Sequence, residues 1–177
     1  SDGFEAFRDS PEFDDGRADP LDRFSQRVID DLAQRLGASA LYPHRGPPWL
    51  PFQRWAARAE SVHPSPLGIL IHPQHGLWHA YRGAIVLPHD QTGVPPTGQS
   101  ASPCIDCDQP CLTTCPVDAF GVGGYDHEAC RQHVRSGTEP ACLDDGCAAR
   151  RACPVNSDGV YGPDQMRLHM AAFVGDE

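Results

Sequence analysis

Cys104-Ile105-Asp106-Cys107-Asp108-Gln109-Pro110-Cys111-Leu112-Thr113-Thr114-Cys115-Pro116 is the stretch on which the reading of the fold turns. Its cysteines are spaced C-x2-C-x3-C-x3-C, and a proline follows the last. Such spacing brings several thiolates together within a few turns of chain, as a compact inorganic group requires. The chain has 8 cysteines in 177 residues, and all of them lie between Cys104 and Cys153. A second set, Cys130, Cys142, Cys147 and Cys153, is more widely spaced but ends in Cys153-Pro154-Val155, as the first ends in Cys115-Pro116-Val117. No basic segment followed by an apolar run opens the sequence, so a reducing, cytoplasmic setting is expected, where clustered thiols hold metal. Ser1 stands where a chain would start with Met, so further residues are expected ahead of it.

The bacterial ferredoxin run is C-x2-C-x2-C-x3-C-P, one residue shorter than the run here. In such a run three close thiolates wrap one cubane, and the fourth, on a short helical turn, reaches a neighbouring cluster. The same reciprocity predicts one [4Fe-4S] cluster on Cys104, Cys107, Cys111 and Cys153. It predicts a second on Cys115, Cys130, Cys142 and Cys147. Zinc and disulfides are the alternatives. Zinc favours paired C-x2-C units, of which only Cys104/Cys107 is one. Disulfides need an oxidising compartment. Gly121, Gly123, Gly124 and Gly146 would let backbone N–H groups approach the sulfurs.

Outward from the cysteines, Pro88 to Pro103 is rich in Pro, Gly, Ser, Thr and Gln, and reads as a linker over 89–103. Ahead of it, Leu67–His72 reads as a strand and Leu77–Leu87 as its hairpin partner across the turn Pro73–Gly76. Asp19-Pro20 opens a helix over 20–36 that Gly37 ends, with Leu21, Phe24, Val28, Leu32 and Leu36 as its apolar face. A shorter helix is expected over 51–60, with Phe52, Trp55, Ala56 and Ala59 on one side and the Trp49–Trp55 cluster in the core. Pro163 starts a last helix, lined by Met166, Met170 and Phe173 and closed by Gly175. The expected class is α+β. Residues 1–19 are an acidic, loop-like lead, 20–88 a small sheet with flanking helices, and 104–177 a dicluster ferredoxin-like lobe with a C-terminal helix.

Charge narrows the function classes. The net charge is −10 and the isoelectric point about 5.2, which argues against nucleic acid, whose phosphates repel an acidic surface. The balance suits docking on a basic redox partner protein. No apolar run approaches the roughly 20 residues of a membrane span, and no nucleotide-binding fingerprint occurs.

With those residues in view, the C-terminal part resembles the iron–sulfur module of epoxyqueuosine reductase. Asp126–His133, around Cys130, sits where that family carries an isolated cysteine on a helix. The segment Ile71–Ala84 is similar to the "HPxxGGWFAIRGV" stretch of the cobalamin-processing CblC (MMACHC) family, matching at His72, Pro73, Gly76, Trp78, Ala80, Arg82 and Gly83. That resemblance implies a nitroreductase-like fold fragment in the first lobe. It also implies a corrinoid (cobalamin) ligand contacted by His72, Trp78 and Arg82, and a reductase in which the clusters feed electrons to it. The chain is much shorter than epoxyqueuosine reductase and shows no general acid for epoxide reduction. A plain ferredoxin-type electron carrier is the other function open at this point. His72, His75 and His79 form H-x2-H-x3-H, which fits a turn better than a metal site, since a strand–turn–strand path scatters the rings.

Overall fold

In the computed structural model, which describes residues 2–89 and 100–175, the chain divides into two units that interleave in sequence. The first takes the chain up to Glu60 and resumes at Ala80. The second joins Ser61–His79 to the cysteine-bearing C-terminal part. Both are mixed α and β, built from helices and two-stranded antiparallel sheets. Most of the expected linker, residues 90–99, lies outside the described residues.

The first unit begins with a helix, α1 (Asp2–Arg8), where a loop was expected. A helix this short is not stable by propensity. Tertiary contact holds it: Phe7 is fully buried and packs against Phe13 and Phe24 with centroids 5.2 and 5.5 Å apart. Two of the acids in this segment, Glu12 and Asp15, are paired with arginines of the next helix. Arg27 donates to both carboxylate oxygens of Glu12, at 2.5 and 2.9 Å, and Arg23 forks onto Asp15 at 2.6 Å through each terminal nitrogen. The Arg27 bond pulls the Glu12 carboxyl down from 4.5 to about 2.

Helix α2 (Pro20–Arg35) has the expected bounds. Gly37, at φ +60°, turns the chain so that the Ala38 N–H reaches the Ala33 carbonyl. Its apolar stripe is not the core face that periodicity suggested. Val28, Leu32 and Leu36 are 43%, 40% and 50% exposed, while Ser25 and Ala33 are buried. The helix is covered on a smaller-residue face by β1 (Ser39–Leu41) and β4 (Ala84–Val86), which pair with each other. Gly83 has no room for a side chain there, because a Cβ would meet Ile29 Cδ1 at 2.6 Å and the Leu41 carbonyl at 3.1 Å. Helix α3 (Phe52–Ala59) buries Phe52 and Ala56 as expected, but Trp49 is 67% exposed and lies on Gly46 instead of in the core.

The expected 67–87 hairpin does not form. In the second unit β3 (Leu70–Ile71) pairs backwards with β2 (His63–Pro64), and in the first β4 takes β1. The turn after β3 is closed by reciprocal His72 and Gly76 backbone bonds at 2.9 and 2.8 Å. Beyond it Leu77 and Trp78 are buried instead of continuing a ladder.

The rest of the second unit is short helices around cysteines: α4 (Pro110–Thr113), a β5–β6 hairpin (Phe120–Gly121, Gly124–Tyr125), α5 (His127–Ser136), α6 (Cys142–Asp145), α7 (Ala148–Arg151) and α8 (Pro163–Val174). Asp126 caps α5, its carboxylate accepting from the Ala129 N–H at 3.0 Å. Arg131 and Arg135 of α5 both donate to the Val174 carbonyl at 2.7 Å, tying α5 to the end of α8. Among the described residues no helix is long and apolar enough to cross a membrane.

Candidate metal centres

The eight cysteines fall into two sets of four, each around its own cavity. Cys104, Cys107, Cys111 and Cys153 line the first, together with Ile71, Leu77 and Val155. Cys115, Cys130, Cys142 and Cys147 line the second, with Phe120, His133 and Met170. This is the grouping that reciprocity predicted from spacing. The two spaces are similar, about 320 and 290 Å³ with their mouths included. All eight cysteines are free of disulfides.

The crossing of the chain between the sets has a local cause. Helix α4 is one turn long, so Cys111 inside it and Cys115 just past it leave in different directions. Helix α7 repeats the device, with Cys147 at its N-cap and Cys153 just beyond its end. The two short helices pack on each other. Ala149, 1% exposed, belongs to the apolar core of the first cavity and lines the second. Small residues at Ala148 and Ala149 leave the space beside both cavities to the sulfurs.

Segment Ser61–His79 forms part of the wall of the first cavity. Leu67, Ile71 and Leu77 form one buried cluster with Cys111, Cys153 and Ala149. Gly76, at φ +57°, seats the His72–Gly76 turn on Val155, whose carbonyl oxygen would stand 2.2 Å from a Cβ at that position. Arg150 fastens the segment from the other side. Its guanidinium donates to the Leu77 carbonyl through Nε at 3.0 Å and also through a terminal nitrogen. It lies 4.3 Å from the centroid of the Trp78 ring and 5.1 Å from that of Tyr161.

Around the sulfurs the polar groups are donors. The Gln109 N–H points at Cys107 Sγ at 3.4 Å, and the Ala119 N–H at Cys115 Sγ at 3.3 Å. Burial pushes the thiols of Cys104, Cys111, Cys130 and Cys147 up, since it disfavours the thiolate. Hydrogen bonds oppose it: the Ser102 side chain to Cys104, the Tyr125 hydroxyl to Cys130, and the N–H groups of Arg150 and Ala149 to Cys147. Tyr125 stacks on Phe120 at 4.9 Å and 9°, forming an aromatic wall beside the second set. His133 is buried there, but both its ring nitrogens have partners: Nε2 lies 3.1 Å from the Pro140 carbonyl and Nδ1 3.3 Å from Thr138 Oγ1.

His72, Trp78 and Arg82, the residues the resemblance points to, each make contacts within the protein. His72 Nδ1 accepts from the Gln74 and His75 N–H groups at 3.0 and 3.2 Å, which stabilises the turn. Trp78 is 7% exposed, under Arg150 and Tyr161. Arg82, in the first unit, forms an ion pair with Asp22 and donates to Ser25 Oγ at 3.2 Å. The His72, His75 and His79 rings neighbour one another. Among the described residues, though, no three His, Cys, Asp or Glu side chains converge on a point that would hold one ion.

Ile71, Leu77, Gly76, Arg150 and His133 were not singled out for the centres from sequence. The signal for Gly76 was its place in the HPxxG stretch, and for Arg150 its place between two ligand-type cysteines. No family model, curated protein or solved structure matches the chain.

Proposed function

We propose that the protein is an iron–sulfur electron carrier whose second unit is a dicluster ferredoxin-like lobe. One [4Fe-4S] cluster would be held by Cys104, Cys107, Cys111 and Cys153, and the other by Cys115, Cys130, Cys142 and Cys147. The observation that carries this reading is the partition of all eight cysteines into two sets of four, each lining its own cavity. The donor sets fit the group, since cubanes are bound by four thiolates. A structural zinc would draw four sulfurs to about 2.3 Å from one point. Zinc also favours paired C-x2-C units, of which Cys104/Cys107 is the single one in the sequence.

Bound clusters supply one-electron couples. The chain's own groups set their surroundings. N–H donors from Gln109 and Ala119 offset negative charge on the sulfurs, while Ile71 and Leu77 exclude water from the first cavity. A carrier is favoured over a corrinoid-bound reductase because His72, Trp78 and Arg82 are each engaged in protein contacts. Spectroelectrochemical titration of anaerobically reconstituted protein should show reversible bleaching of its visible bands in one-electron steps. A protein with no reversible transition would end the electron-transfer reading.

A further inference from the structure

Beside the first cavity lies an open groove lined by Pro103, Asp106, Cys107, Asp108 and Pro154. Of the four cysteines that line the cavity, Cys107 also lines the groove, so it stands between the cavity and this open face. Ile105, on the same turn, is 70% exposed. An apolar side chain standing out between acids, above a buried centre, has the make-up of a small docking face.

The charge around it is one-sided for a structural reason. No Lys or Arg occurs between Arg82 and Arg131. Four of the second unit's five arginines are engaged elsewhere: Arg131 and Arg135 on the Val174 carbonyl, Arg150 on the Leu77 carbonyl, and Arg167 on Asp144. Among the described residues no cation pairs with Asp106 or Asp108. Two uncompensated carboxylates flanking Cys107 attract a basic surface and steer its approach.

We propose that this groove is the docking face for a redox protein with a basic rim around its own cofactor, and that electrons cross there at Cys107. The proposal rests on the cluster reading of the first cavity. A reduced cluster held by Cys104, Cys107, Cys111 and Cys153 would supply one electron to the partner's cofactor, with no bond made or broken.

The probe is ferric cytochrome c, a basic haem protein, mixed by stopped flow with the reduced, cluster-loaded full chain over a range of ionic strength. D106N/D108N should slow the second-order step about tenfold at low salt and flatten its salt dependence. I105S should slow it at every ionic strength. D118N, an exposed acid beside Cys115 whose left-handed backbone suits Asn, should change little. Reduction of a small uncharged quinone should be equal in all four proteins. An unaltered rate in D106N/D108N, an equal loss in D118N, or a matching loss with the quinone would overturn the proposal. Iron and acid-labile sulfide are measured on the same samples. Absence of clusters refutes the reading of the cavities and the groove with it, whereas intact clusters with charge-insensitive rates refute the groove alone.

Discussion

Replacing Gly76 by alanine should loosen the first metal centre and leave the second in place. Two costs add at this position. An L-residue at φ +57° costs about 1–2 kcal/mol. The new Cβ would also stand 2.2 Å from the Val155 carbonyl oxygen, more than 1 Å inside ordinary contact, which begins at 3.4 Å. The obstacle is backbone, so relief requires the Cys153-Pro154-Val155 path to shift, at about 1–3 kcal/mol. Alanine recovers about 0.4–1 kcal/mol by restricting the unfolded chain, leaving a net loss of about 1–4.5 kcal/mol. If the chelator reaches iron through local opening of this turn, the release rate should rise about fivefold to about two-thousandfold. The assay is loss of visible absorbance in the presence of a ferrous chelator, without relying on reversible unfolding. Only the half of the signal belonging to the Cys153 set should accelerate. Two controls separate the costs. Gly68, at φ +76° with no atom near its would-be Cβ, carries the strain alone, and Gly123, with open space and no positive φ, carries neither. Wild-type release from Gly76→Ala, or faster loss of the second centre, would refute the argument.

Further expectations follow from the same geometry. Cys104→Ser should abolish one electron paramagnetic resonance signal of the reduced protein and Cys130→Ser the other; loss of both signals from either variant would break the two-set assignment. Arg150→Lys keeps the charge but loses the two-pronged donation to Leu77 and the planar stacking on Trp78, so the second unit should lose about 1–2 kcal/mol. Thermal melts of the loaded protein check this, and an unchanged midpoint would contradict it. The Glu12 carboxyl is held below its ordinary value, so its contribution is complete above about 4.5 and is lost as pH falls towards about 2. Hydrogen exchange in α1 should accelerate through that window, and Glu12→Gln should remove the Glu12 part of the pH dependence. Demetallated protein should become protease-sensitive both beyond residue 100 and within Ser61–His79, while α2 persists. Protection of residues 61–79 in the demetallated protein would show that this segment folds without a bound cluster.

Sequence made some of this legible because the signals are local. Proline and glycine punctuation set α2 and α8 to within a residue or so, and cysteine spacing with ferredoxin-type reciprocity grouped the cysteines as the two cavities do. Other features depend on distant partners. The first helix exists because Phe24, Arg23 and Arg27 of α2 receive Phe7, Asp15 and Glu12, and none of those pairings shows in the local pattern of residues 1–19. Leu70–Ile71 and Ala84–Val86 carried true strand character, but periodicity does not name a partner. Trp78 is taken up by Arg150 far along the chain, so the run from Leu77 to Leu87 is divided between two units. The exposed Val28–Leu36 stripe was misassigned for the converse reason: helical spacing reports an apolar face and says nothing of what covers it.

The central claim is that each set of four cysteines holds one cubane. Native mass spectrometry of the anaerobically reconstituted chain tests it most directly. The expected spectrum shows two successive additions of about four irons and four sulfides each. A chain that carries zinc ions without sulfide, or a single cluster shared across the two cysteine sets, would contradict it.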